Sequence, residues 1–335
     1  MKRPIASLSL DLDDAWSYLK TRGDPGWEAL PSFLPIVVPR FLDVLKRHGL
    51  RITVFVVGQD AVLERNGALL NSIVDAGHEI GCHSFRHEPW LHRYSRAELE
   101  SELSRATAAI EAATGIRPSG FRGPGYSLSR DTLEALAALG YRYDCTTLPT
   151  FIGPFARWYY FRTAGIGRRD RTEREALFGK FSDGLRPLRP YVWNLGSQSI
   201  VEIPVTTFPL FRTPIHFSYV LYIAQIASQL APLYFKAALR ACRLAGIAPS
   251  LLLHPLDFLC ADDVPALAFF PAMRLSLERK LAVVDRALSA LTGAFDVIPV
   301  GEHAELWYNQ NAECAGQPRA ERREESPGFT GQRAG

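Results

Sequence analysis

Ile5-Ala6-Ser7-Leu8-Ser9-Leu10-Asp11-Leu12-Asp13-Asp14 decides how this chain is read. Apolar and polar side chains alternate from Ile5 to Leu12, the period of a β-strand, and the segment closes in carboxylates. A second apolar segment, His78–Cys82, closes in His83-Ser84-Phe85-Arg86-His87. Carboxylates and imidazoles at two strand ends are what a hydrolytic metal site needs. Zinc and similar ions take His and Asp ligands with one position open, and a further carboxylate can deprotonate a water there. Strict alternation puts Ser7, Ser9, Asp11 and Asp13 on one face of the strand and Asp14 on the other. Asp13 and Asp14 can both reach one site only if the chain turns near Asp13.

Further strands follow outward from this one. Arg51–Val57 reads as a β-branched strand between helical stretches near Ile36–His48 and Ala61–Ala76. Ser95-Arg96-Ala97-Glu98 is a capping box that opens a helix to about Ala113. Phe121–Arg122, Tyr141–Cys145, Ile200–Val205, Leu251–Leu253 and Phe295–Val300 complete the strands. Repeated β-α units imply a parallel sheet, and seven or eight of them an α/β barrel. Reactive groups of barrels gather at the C-terminal strand ends. Asp11–Asp14, His83, Arg122, Asp144 and His254 all stand at or just after such ends, so their order alone brings them to one rim.

With 335 residues, 47% hydrophobic and 22% charged, the chain has the makings of a folded core. The expected organisation is a barrel over 1–309, an insertion at about 150–199, and a disordered polar tail over 310–335. A net charge of +3 gives no field directed at nucleic acid. Charge is concentrated locally: Arg157–Arg189 holds nine Lys or Arg against four acidic residues, beside Trp158, Tyr159, Tyr160 and Phe161. That composition suits a lid over the rim or a membrane-facing surface. Thr213–Phe235 carries no Asp, Glu, Lys or Arg, but His216, Gln225, Ser228, Gln229 and Pro232 favour a buried barrel helix or an interfacial surface over a membrane span. Five scattered cysteines without a CxxC fit a reducing compartment, with Cys82 and Cys145 expected in core packing. The N-terminus runs straight into strand and carries no cleavage site. A cytoplasmic protein, peripheral to the inner face of a membrane where lipid is involved, is the expectation.

Five elements occur in order: Asp11-Leu12-Asp13-Asp14-Ala15-Trp16, His83-Ser84-Phe85-Arg86-His87, Phe121-Arg122-Gly123-Pro124-Gly125-Tyr126-Ser127, Tyr143-Asp144-Cys145-Thr146 and Leu253-His254-Pro255. This set resembles the polysaccharide deacetylase family with its NodB homology domain, from Ile5 to Val300 apart from the insertion. The resemblance implies a distorted (β/α)7 barrel and a divalent metal, foremost Zn2+. It implies Asp14, His83 and His87 as ligands and Asp13 as general base, held ionised by Arg122. It further implies His254 as general acid, tuned by Asp144, and backbone N–H groups near Gly125–Tyr126 at the oxyanion. The commonest family motif has Thr at the Asp11 position and Gly at the Ala15 position; an Asp-x-Glu-Asp-x-aromatic variant fits better, with Asp13 in place of Glu. Asp11, Asp13 and Asp14 thus offer three carboxylates for two roles, divided here by resemblance alone.

The implied function is removal of an N-acyl group, foremost acetyl, from an amino sugar in a polysaccharide, oligosaccharide or lipid-linked sugar. Partners are then an N-acylated glycan and, for lipid-linked substrates, a lipid carrier or membrane surface. Ile203-Pro204-Val205-Thr206 resembles a segment of the lipid-linked aminoarabinose deformylases, which makes formyl release an alternative. Allantoinase-like amidase activity on small amides is another. A carbohydrate-binding pseudoenzyme is the non-enzymatic alternative, and the presence of both a base and an acid argues against it.

Overall fold

Strand β1 (Ile5–Leu12) is the hub of the sheet. A computed structural model describes residues 3–151 and 181–315, and in it β1 pairs in parallel with β2 (Thr53–Val56), β8 (Ser250–Leu253) and β9 (Asp296–Ile298). From β2 the sheet continues through β3 (Glu79–Cys82), β4 (Gly120–Phe121), β5 (Tyr143–Asp144) and β7 (Gln198–Glu202), each parallel to the last. Just beyond β7, the Thr206 N–H donates to the Ser250 carbonyl at 2.8 Å, and the Ser250 N–H donates to Thr206 Oγ1 at 2.8 Å. Those two bonds join β7 to β8 and close a distorted (β/α)7 barrel. Strand β9 lies outside the ring, alongside the N-terminal half of β1.

The alternation in β1 explains the two layers of packing. Ala6, Leu8, Leu10 and Leu12 are buried in the large core between sheet and helices, while Ser7, Ser9 and Asp11 face the interior. Burying each leucine contributes about 1.5–3 kcal/mol, so shifting the register by one residue would lose that and bury carboxylates in the apolar layer. The interior has its own smaller apolar cluster: Phe55, Tyr143, Cys145, Val201, Ile203, Val300 and Ala304. Cys145 therefore lies inside the barrel, whereas Cys82 packs in the outer layer as expected.

Helices α1 (Ala15–Arg22), α2 (Leu34–Arg47), α3 (Gly58–Ala61), α4 (Gly67–Asp75), α5 (Arg96–Thr114) and α6 (Arg130–Ala138) cover the first half. The Ser95–Glu98 capping box forms and starts α5. α7 (Phe217–Ile226), α8 (Leu230–Leu244) and α9 (Leu277–Ala294) cover the second half, and α10 (Val300–Ala315) seals the base. The acid- and base-free stretch is thus two helices broken at Ala227–Gln229, and no helix among the described residues is long and apolar enough to cross a membrane. At the base, Val300 N–H donates to Thr53 Oγ1 at 2.7 Å and Gly301 N–H to Glu79 Oε2 at 2.9 Å.

Two expected boundaries move. Tyr191–Leu195 forms β6, an antiparallel partner of β7, so the final part of the segment expected as insertion belongs to the sheet. The hairpin turns at Asn194–Gln198 with Gly196 in the left-handed region, φ +82°, a turn signal that the sequence reading passed over. Residues 152–180, with Trp158–Phe161 and most of the basic excess, lie outside the described residues. α10 runs to Ala315, past the boundary set at 309, because residues 310–315 include the good helix formers Gln, Ala and Glu.

Close packing inside the ring gives a direct test. A Cβ on Gly120 would stand 1.9 Å from Tyr143 Cζ, and the Tyr143 hydroxyl donates to Glu79 Oε1 at 2.9 Å. Gly120→Ala is expected to displace that ring and destabilise the fold by about 1–3 kcal/mol, read as a lower denaturation midpoint.

Candidate functional site

The chain stays extended through Asp14 (φ −99°, ψ 170°), so the alternation of β1 continues past its last paired residue. Asp13 therefore follows Asp11 into the barrel mouth, and Asp14 turns to the outer layer. There Asp14 Oδ1 accepts from Ala15 N–H at 2.7 Å and Phe33 N–H at 2.9 Å, capping α1 and anchoring the start of α2. Asp14, expected among the ligands, is therefore not brought to the cluster that gathers Asp13. No turn forms at Asp13, and Asp14 serves as a helix cap.

Asp13, His83 and His87 come together instead, all buried, with their potential ligand atoms within 4.8 Å of one another. Asp13 Oδ1 lies 3.3 Å from His83 Nε2 and 3.0 Å from His87 Nε2. Burial pushes the Asp13 carboxyl up, but the charges and hydrogen bonds of His87 and His83 outweigh it and hold it well below the usual range. His83 moves up: burial works against its charge, and Asp11 and Asp13 overcome that. The Arg122 carbonyl accepts from His83 Nδ1 at 2.7 Å, which orients the ring and leaves Nε2 for the cluster. An Asp and two imidazoles directed at one point suit a divalent ion of the zinc class.

The loop bearing the imidazoles is held under backbone strain. Ser84 (φ +59°) and His87 (φ +52°) both adopt the left-handed region. Glu102 of α5, buried beneath the loop, accepts from Phe85 N–H at 3.0 Å and Arg86 N–H at 2.6 Å. Ser84 Oγ accepts from His87 N–H at 3.1 Å. Glu102 was missed from the sequence because it sits mid-helix among ordinary helix formers. Its signal was being a carboxylate on an otherwise apolar, inward helix face with Leu99, Leu103 and Ala106.

Arg122 is fully buried and pairs with Asp11, not Asp13: its Nε is 3.5 Å from Asp11 Oδ1, and Nη2 donates to Ser9 Oγ at 3.1 Å. Its guanidinium also lies 5.0 Å from the Phe55 ring centroid. Asp144 does not approach His254. It sits between Tyr143 and Cys145, which face inward, so alternation turns it outward beside Glu202. There it accepts from Thr146 N–H at 3.0 Å and Oγ1 at 2.6 Å, and burial with the Glu202 charge holds its carboxyl well above the usual range.

His254 follows β8 and lies at the mouth. Its Nδ1 is 3.0 Å from Ser218 Oγ, and Asp257 Oδ2 accepts from its backbone N–H at 2.8 Å. Lys280 fastens this turn, donating to the carbonyls of Leu256 and Leu259. A second imidazole, His216, stacks edge-on to His254 with ring centroids 5.9 Å apart. Burial, then the charges of His254 and Arg122, press it down to about 3, so it is neutral at physiological pH. The Tyr18 hydroxyl is buried beside Asp13, and burial followed by the charges of Asp13, Asp257 and Asp11 pushes it well above its usual range. Neither His216 nor Tyr18 belongs to a motif, so sequence gave no cue to them. The Tyr126 N–H expected at the oxyanion donates to the Gly123 carbonyl at 3.0 Å.

Residues 12–143 match the family model described as polysaccharide deacetylase, the segment that carries Asp13, His83, His87 and Arg122. The chain is 27% identical over 214 residues to a peptidoglycan deacetylase of Helicobacter pylori, covering 62% of this chain and 67% of that one. It is 30% identical over 183 residues to the peptidoglycan deacetylase-like protein FGM2 of Gibberella zeae, covering 54% of this chain and 49% of the relative. The fold is shared with a crystal structure from Mycobacterium smegmatis described as a polysaccharide deacetylase, at TM-score 0.62 and 22% identity, over 97% of this chain and 96% of that one.

Two predictions follow from the supports of the site. Glu102→Ala leaves two amides without an acceptor and is expected to cost about 2–4 kcal/mol in chemical denaturation, with Glu102→Gln recovering part. Asp60, whose Oδ1 accepts from Trp16 Nε1 at 2.8 Å, is held well above the usual carboxylate range by burial and then by Asp14. A folded-state value above the unfolded one gives stability at low pH that is lost as pH rises through the folded value. Asp60→Asn is therefore expected to raise the Tm more at about pH 8 than at about pH 4.

Proposed function

We propose that this chain, a polysaccharide deacetylase family member over residues 12–143, is a metal-dependent hydrolase that removes an N-acyl group, foremost acetyl, from an amino sugar. The observation that carries the reading is the buried Asp13–His83–His87 cluster beside a separate carboxylate, Asp11, with its own buried cation, Arg122. The deacetylase names of the relatives point to an N-acetylated glycan as substrate. Described cysteines Cys82, Cys145, Cys242 and Cys260 are free, which fits the reducing, cytoplasmic setting included in this reading.

Asp13, His83 and His87 would hold the metal, Zn2+ by donor type. Bound there, such an ion supplies Lewis acidity that polarises the acyl carbonyl and acidifies water. The protein supplies the proton traffic. Asp11, paired with Arg122, accepts a proton from the attacking water as the new carbon–oxygen bond forms. His254 donates a proton to the amine nitrogen as the carbon–nitrogen bond breaks, with Ser218 and the Asp257-capped turn fixing its ring. His216, neutral beside it, keeps a second positive charge away from the acid. The Tyr18 hydroxyl, beside Asp13, is a donor for the developing oxyanion. The products are a free amine and a carboxylate. Asp144 takes no part.

The test separates the three carboxylates. Asp13→Asn is expected to lose bound metal and activity together. Asp11→Asn is expected to keep metal and lose about 10²- to 10⁴-fold in turnover, and His254→Ala similarly. Asp14→Asn is expected to keep both metal and turnover. Measured as metal content and acetate release from N-acetylglucosamine oligomers with and without chelator, a result in which Asp14→Asn loses the metal and Asp13→Asn retains it would reverse the roles.

A further inference from the structure

From Ile203 to Leu256 the chain contains no Asp or Glu and four cations: Arg212, Lys236, Arg240 and Arg243. This stretch includes the loop after β7, then α7 and α8. α8 packs Ala231, Phe235, Ala238, Leu239 and Cys242 inward, so its outer face carries Leu230, Leu233, Lys236, Ala237, Arg240 and Leu244. An outward helix face in a water-soluble fold normally carries mixed charge. This one carries leucines and cations and no carboxylate.

The apolar side chains form a built feature, not a scatter. Phe208–Thr213 is a tight hairpin: Phe208 N–H donates to the Thr213 carbonyl and Arg212 N–H to the Phe208 carbonyl, both at 2.8 Å. Its tip presents Leu210 and Phe211 to solvent. The hairpin is fastened to α8 through Tyr234, whose hydroxyl lies 2.8 Å from Thr213 Oγ1 and whose ring is 5.9 Å from Phe208. Leu210, Phe211, Ile226, Leu230, Leu233 and Leu244 are 58–81% exposed. A groove of about 640 Å³ runs along the other flank of α8 against α9, lined by Lys236, Arg240 and Arg243 with Leu239, Leu244 and Gly293, and no carboxylate lines it. None of these three cations is ion-paired to a described residue.

We propose that the hairpin tip and the outer face of α8 form a docking surface for an anionic lipid bilayer. Charge chooses the occupant, because exposed leucines beside cations that have no ion pair among the described residues match acyl chains beneath anionic headgroups. A soluble polyanion would have no use for Leu210, Phe211, Leu230 and Leu233. The same segment carries His216 and Ser218 to His254, so docking brings the acid side of the site towards the membrane. A membrane-borne acyl sugar as substrate is the consequence. That half rests on the hydrolase reading, whereas the docking does not.

The test is vesicle co-sedimentation of the full chain with phosphatidylcholine alone and with phosphatidylcholine mixed with phosphatidylglycerol. Binding is expected to the mixed vesicles only. Lys236→Gln, Arg240→Gln and Arg243→Gln are each expected to weaken it about five-fold, and roughly a hundred-fold together. Leu230→Ser with Leu233→Ser is expected to weaken it by about ten-fold or more. All these variants should keep wild-type circular dichroism and wild-type release from a soluble N-acetyl oligosaccharide. No binding to mixed vesicles, or equal binding to both, overturns the proposal. So does binding that the cation variants abolish but the leucine variants leave intact, which would mark a polyanion patch. Vesicle binding with no acyl release from any sugar would count against the hydrolase reading and leave the docking intact.

Discussion

Asp11 and Asp13 are forced into the barrel by the same two-residue period that buries Leu10 and Leu12 on the other side of β1. Two carboxylates so close in an enclosed interior need positive charge beside them. Arg122 answers Asp11, and the His83–His87 pair answers Asp13. Each partner is then constrained by the need to stay there. Arg122 arrives from β4, fully buried, with Ser9 and Phe55 holding it. His83 is oriented by the backbone of that same arginine, so one residue supports both charge pairs.

The second layer of the design holds the loops that carry these groups. The His83–His87 turn contains two residues at positive φ, a cost borne by Glu102 reaching up from α5. Beyond β8, Lys280 and Asp257 play the corresponding part for His254. Glu102 and Lys280 reach their loops from helices 16 to 24 residues away in sequence, whereas Asp257 caps its own turn.

Most of the architecture was legible because it depends on period. The alternation in β1, the β-branched run of β2 and the capping box of α5 each state a local rule that the fold obeys. The placement of the carboxylates was also present in the alternation, which put Asp11 with Asp13 and set Asp14 apart, whereas the resemblance pointed to Asp13 and Asp14. Asp144 misled for the same reason: adjacent in a motif, it points outward because Tyr143 and Cys145 point in. Glu102, His216 and Tyr18 were out of reach, since their roles come from elements meeting in space and leave no mark in local spacing.

Thr206 closes the ring between β7 and β8 almost unaided, with its amide on Ser250 O and its hydroxyl on Ser250 N. The other junctions within the ring are strand pairings, down to a single pair, Cys82 with Phe121, at β3–β4, whereas this one is a clasp beyond the end of β7. Junctions this thin are where local unfolding begins. The barrel is thus better regarded as a curled sheet fastened at its ends than as a rigid hoop. The part that carries Asp13, His83 and His87 and the part that carries His254, on β1–β3 and β8, are joined directly through β1 but meet across the clasp by the longer way round. Breathing at that seam would change the width of the mouth while leaving the Asp13–His83–His87 geometry undisturbed.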